Sequence, residues 1–136
     1  GVKKRPYVIH RTSIGCYERT LAMLIEKYAG AFPTWLAPLQ VKVLPISEKY
    51  HDYAEKVVAK LKESKIRSSA DFRAEKIGYK IREARNERAP FLLIVGEKEA
   101  ELNEVSVRSR KNGDEGATSL DSFISRIKEE IETKLL

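Results

Sequence analysis

The chain has 136 residues, enough for one domain to bury a core without covalent staples, and its 42% hydrophobic and 34% charged residues exclude a disordered tail. A single cysteine, Cys16, excludes an intrachain disulfide and a multi-cysteine zinc site and points to a reducing, cytosolic setting. No apolar run approaches the roughly 18 residues of a membrane span, and the net charge of +6 points to an acidic partner, nucleic acid first, against the plainer alternative of a merely soluble basic surface.

The chain opens on Gly1 rather than methionine, which reads as a piece of something longer, and its basic start is followed by no signal-type apolar stretch. Residues 6–10 (PYVIH) are a short extended candidate. Ile14, Tyr17, Leu21, Leu24, Ile25 and Tyr28 then recur at helical spacing, with Ser13 as cap and Gly30 as stop. The two prolines of AFPTWLAP, residues 31–38, cannot continue a helix. This is a linker, and Phe32 and Trp35 predict that it packs on something.

From here the pattern is regular. Gln40–Ile46 reads as a strand, and 48–64 as a helix capped by Ser47, with Tyr50, Tyr53, Ala54, Val57, Val58 and Leu61 on one face. Ile66–Ala70 is a short strand. Residues 75–88 are a helix with Ile77, Ile81 and Ala84 inward. FLLIV, 91–95, is five apolar residues in a row, as a strand buried on both faces requires, and Gly96 ends it. Val105 and Val107 alternate with polar neighbours over 104–110. Asn112-Gly113 signals a hairpin. Ser119 caps a last helix, 120–135, with Phe123, Ile124, Ile127, Ile131 and Leu135 inside. The order β-α-β-α-β-β-β-α predicts an α/β domain. It is a mixed five-stranded sheet flanked by helices, with right-handed crossovers and an N-terminal strand-helix extension.

An enzyme site is hard to find. The chain lacks a Walker-type phosphate loop, G-x-S-x-G and H-E-x-x-H. His51 falls on a polar helix face, as solvated histidines do. His10 and Cys16 stand six apart with no third group to orient them as a nucleophile pair. A binding surface is easier to find. Between Arg73 and Lys111 ten basic residues are interspersed with seven acids. Lys76 and Lys80 are one helical turn apart, and Arg108 and Arg110 are two apart on a strand. Such side chains neutralise phosphates, and arginine also reads base edges or stacks on bases. A salt-bridged, solvated surface is the competing reading of the same pattern.

Two stretches say more. RPYVIHRTSIGCYER (5–19) and ADFRAEKIGYKIREA (70–84), with LAPLQVKVLPI, APFLLIVGEKE and VSVRSR in order between and after them, resemble threonyl-tRNA synthetases along essentially the whole chain. Histidyl, prolyl and glycyl synthetases share this type of C-terminal domain, but the IHR…ER and EKIGYKIRE runs point to the threonine enzyme.

The resemblance implies that residues 1–34 are the end of a class II catalytic domain, with its third signature motif, plus the linker. It implies that 35–136 are the anticodon-binding domain. Arg19 would contact ATP and His10 would be one of three zinc ligands, both in the parent enzyme only. The parent would use ATP, Mg2+ and zinc to attach threonine to its tRNA. This piece alone would lack catalysis, cofactors and a zinc site, since a lone histidine cannot make one. Glu99, Arg82, Arg88 and Arg108 are the implied anticodon contacts. Ala74 departs from the family's usual asparagine, which removes a base-reading hydrogen bond worth on the order of 1–3 kcal/mol.

The implied partner is the anticodon stem-loop of threonine tRNA, with no membrane, in the cytoplasm. The parent would be a homodimer. The piece itself would be a monomer or would pair through the exposed first helix, which otherwise folds back on the domain to cover its apolar face. The other functional reading is a synthetase-like accessory or regulatory interaction module without an aminoacylation role.

Overall fold

A computed structural model describes residues 1–134; Leu135, expected inside the last helix, lies outside the described residues. The elements run α1 (Tyr17–Tyr28), β1 (Val41–Pro45), a 3-10 turn (Glu48–Tyr50) leading into α2 (His51–Glu63), β2 (Ser68–Ala70), α3 (Ile77–Asn86), β3 (Phe91–Val95), α4 (Glu97–Leu102), β4 (Glu104–Ser109), β5 (Gly113–Ser119) and α5 (Leu120–Glu132).

The five strands form one sheet in the order β2-β1-β3-β4-β5. β1 runs parallel to both β2 and β3, while β3, β4 and β5 are antiparallel in sequence. Because side chains alternate along a strand, FLLIV feeds two cores at once. Phe91, Leu93 and Val95 join Val41, Val43, Val57, Leu61, Phe123 and Ile127 in the layer under α2 and α5. Leu92 meets Leu44, Ala84 and Ala89 in the layer under α3.

Local signals set several boundaries. Ser119 Oγ accepts from the Ser122 amide at 3.2 Å and starts α5. The β4–β5 hairpin turns through residues 110–112, and Gly113 takes a φ of +77° to close it.

Four expectations need correction. Residues 6–10 form no strand: no strand of the sheet lies beside them, and Tyr7, Val8 and Ile9 are fully exposed. A strand exists only through a partner that takes its backbone hydrogen bonds. Helix α1 is capped at Cys16, not Ser13, and buries no residue, so it does not fold back on the domain. The linker does pack: Thr34 is buried and its hydroxyl donates to Glu130, while Gln40 Nε2 donates to the Thr34 carbonyl at 2.8 Å. Finally, α4 interrupts the expected run of three strands. Its six residues are too few for a periodicity to show.

Candidate nucleic-acid interface

Helix α3 packs over β1 and β3, so it covers only part of its side of the sheet. Arg108 pairs with Leu92 in the β3–β4 ladder and therefore points to that same side. There, Arg85, Arg88, Arg108 and Arg110, with Leu92 and Gly113, line a groove of about 230 Å³. Arg108 is half-buried and gives Nη2 to Asp114 Oδ2 at 2.8 Å, but its buried Nε has no partner among the described residues. Arg88 sits just past α3 at a φ of +61°, a strained conformation for a residue with a Cβ. Arg110 holds it there through Nη1 to the Arg88 carbonyl at 2.7 Å. Burial first, and then the Arg88 charge, pulls the Arg110 guanidinium below its ordinary value.

A second concavity, of about 370 Å³, opens at the other end, outside the carboxyl ends of the parallel strands. Ala74, exposed, stands on its rim with His51, Lys76, Glu48 and Glu75. In open α/β sheets ligands settle at such strand ends, where successive connections leave in opposite directions.

Glu99 lies near this end, on α4. Its Oε2 accepts from the Gly96 amide at 3.0 Å and caps the helix, which leaves Oε1 outside that bond. The Glu99 and Glu104 charges, after burial, push the nearby Tyr53 hydroxyl upward. Its oxygen donates to the Glu104 carbonyl at 2.7 Å.

The five implied contact residues are thus not one cluster. Arg88 and Arg108 meet in the arginine groove. Ala74 and Glu99 belong to the opposite strand ends, roughly 13 Å away along β3 at the rise of an extended chain. Arg82 lies between them on the exposed face of α3, with no hydrogen bond or ion pair among the described residues.

Two basic residues of the expected cluster lie outside the arginine groove. Arg73 clamps Asp71 through Nε and Nη2 at 2.9 and 2.6 Å and also pairs with Glu83. Lys80 is buried, at 1% exposure. Its position was readable: Ile77, Lys80, Ile81 and Ala84 stand at i, i+3, i+4 and i+7, so Lys80 shares the inward stripe.

Arg19 and His10 lie on the N-terminal arm, both exposed. Cys16 Sγ donates to Glu18 Oε2 at 2.9 Å. No group of three or more His, Cys, Asp or Glu among the described residues could hold a metal ion, so a zinc ion does not fit the donors this chain supplies around His10. No helix among them is long and apolar enough to cross a membrane.

Comparison with known proteins puts this geometry in context. Residues 40–130 match the family described as "Anticodon binding domain". The chain is 74% identical over 134 residues to a threonine–tRNA ligase of Clostridium botulinum (strain Eklund 17B / Type B), covering 98% of this chain and 21% of that one. It is 57% identical over 136 residues to the threonine–tRNA ligase of Caldanaerobacter subterraneus subsp. tengcongensis, covering 100% and 21%. It therefore spans about a fifth of the length of these relatives.

Among solved structures, the RNA binding domain of threonyl-tRNA synthetase from Cryptosporidium parvum superposes with a TM-score of 0.79 at 35% identity, covering 83% of this chain and 28% of that one. A prolyl-tRNA synthetase from the same organism shares the fold, with a TM-score of 0.67 at 24% identity, covering 74% and 22%. The mixed five-stranded sheet, its flanking helices and the matched residues together make this chain a member of the anticodon-binding domain family of aminoacyl-tRNA synthetases, with threonine–tRNA ligases as its high-identity relatives.

Proposed function

We propose that this chain reads the anticodon loop of threonine tRNA for an ATP-dependent threonine–tRNA ligase. The observation that carries the reading is the arginine groove, which Arg88 and Arg108 both line and where the buried Nε of Arg108 lacks a partner among the described residues. A buried donor left unsatisfied costs free energy that an acceptor on a bound ligand recovers. Arg88 and Arg82 neutralise backbone phosphates, and Arg108 meets a phosphate or a base acceptor. Glu99, with one oxygen held by its own helix, offers the other to a base N–H at the opposite end. Ala74 contributes no hydrogen bond there, so discrimination rests on its neighbours.

Residues 1–34 then belong to the catalytic unit and its linker, and 35–136 to the anticodon-binding domain. In the whole enzyme, Arg19 holds an ATP phosphate and His10 joins zinc ligands supplied from outside this chain. ATP, Mg2+ and zinc are cofactors of that enzyme, and the piece itself carries no catalysis. The exposed apolar residues of α1, among them Tyr17, Leu21 and Ile25, suit burial against the catalytic unit. In isolation they suit pairing with a second copy, whereas the whole enzyme dimerises through its catalytic domain. The setting is cytoplasmic.

The test is binding to a threonine-tRNA anticodon stem-loop and to loops with the second and third anticodon bases changed, at two salt concentrations. Preference for the unaltered loop, lost in Arg108→Ala, is the expected result. Equal, purely salt-sensitive binding to all loops would reduce the role to RNA positioning. No binding to any would favour an accessory or regulatory interaction module.

A further inference from the structure

The crevice at the strand ends has a buried cation in its lining. Lys80, 1% exposed, lines it. Its Nζ donates to the Pro45 carbonyl at 3.1 Å, the last of β1, and to the Asp71 carbonyl at 3.0 Å, the first beyond β2. An ammonium has three donors. The third has no partner among the described residues, and no carboxylate there makes an ion pair with the ammonium, although its charge helps to hold the Asp71 carboxyl down. The Asp71 carboxylate is taken up by Arg73.

Tying two carbonyls together needs only a neutral donor, and an unpaired buried cation is costly. A fixed charge with one spare donor beside an open crevice suits an incoming acceptor. Glu48 and Glu75 stand on the same crevice beside Arg73 and Lys76, so it offers carboxylate acceptors as well as cationic donors. They are compatible with a base that carries an N–H next to its acceptor. Guanine (O6 with N1–H) and uracil (O4 with N3–H) both have that edge; adenine and cytosine present the reverse.

We infer that Lys80 is a specificity-determining residue: with a carboxylate of Glu48 or Glu75 it forms a pocket for a keto base of the bound RNA. This deepens the anticodon reading and rests on it. The two bases that threonine codons require at the second and third anticodon positions, guanosine and uridine, are both keto bases.

The test uses the 136-residue chain and stem-loops in which guanosine is replaced by 2-aminopurine riboside or uridine by cytidine, one at a time. At least one replacement is expected to weaken binding tenfold or more, the scale of a charged hydrogen bond. The same replacement should change binding of Lys80→Met less than twofold. Should Lys80→Met fail to fold, nitrogen-15 NMR of the lysine-labelled wild-type chain decides the matter. The Lys80 Nζ signal should move on adding the unaltered loop and stay put with the replaced one. Equal penalties in wild type and Lys80→Met, or an unmoved signal with both loops, would overturn the inference. If a replacement weakens wild type and Lys80→Met equally, only the Lys80 pocket falls; if Arg108→Ala weakens binding while no keto replacement does, base reading falls with it and RNA positioning remains. If no loop binds at all, the anticodon reading falls with it.

Discussion

Arg110 ties the arginine groove to the linker. One end of its guanidinium, Nη1, donates to the Arg88 carbonyl at 2.7 Å, while Nη2 donates to the Phe32 and Ala31 carbonyls at 2.6 and 3.1 Å. A residue at the edge of the candidate RNA surface and the segment leading to the N-terminal arm thus share one clamp. Arg110→Ala is expected to lower stability by about 1–2 kcal/mol, because three carbonyls lose a charged donor. It should also speed amide exchange at Ala31, Phe32, Thr34, Arg88 and Ala89. Arg110→Lys should restore little of this, since an ammonium cannot span the fork of the guanidinium. Denaturant melts and hydrogen exchange check both points.

Glu99 must be tested with the right substitution. Its carboxylate caps α4 by accepting from the Gly96 amide, so Glu99→Ala is expected to cost about 0.5–1 kcal/mol in stability whatever its role in RNA binding. Glu99→Gln keeps an oxygen for that amide and should melt like the parent. An affinity loss in Glu99→Gln with an unchanged Tm would therefore belong to the base contact.

Arg82 offers the cleanest electrostatic test. It is exposed and makes no hydrogen bond or ion pair among the described residues. Arg82→Ala should leave stability within about 0.5 kcal/mol of the parent. If Arg82 meets one phosphate, the slope of log affinity against log salt should become shallower by roughly 0.7–0.9. An unchanged slope would remove Arg82 from the interface.

Asp71 sets an acid limit. The bidentate Arg73 guanidinium holds the buried Asp71 carboxyl down at about 2, against an ordinary 3.8. A depressed carboxyl contributes stability that is fully present above its unfolded value and is lost as pH falls through its folded value. Stability should thus decline between about pH 4 and pH 2 in the parent. In Asp71→Asn that decline should be shallower, with a loss of about 1–2 kcal/mol at neutral pH, discounted because Arg73 is half-exposed to solvent. Denaturant midpoints across the acid range measure it.

By itself the sequence determined what depends on neighbours along the chain. The double-faced FLLIV strand, the Ser119 cap, the turn before Gly113 and the inward stripes of α2 and α5 follow from side-chain alternation, helical period and local hydrogen bonds. The resemblance carried by residues 5–19 and 70–84 anticipated the family. Tertiary structure alone decided what depends on partners. PYVIH carries strand-forming residues, yet no strand of the sheet lies beside it. The inward stripe of α3 included Lys80, but only the sheet shows that Pro45 and Asp71 receive its ammonium. The order β2-β1-β3-β4-β5 puts Ala74 and Glu99 at one end of the strands and Arg88 and Arg108 at the other. Spacing along the chain cannot reveal this, because strand direction and register, which bring distant residues to a common edge, are set by pairing across the sheet.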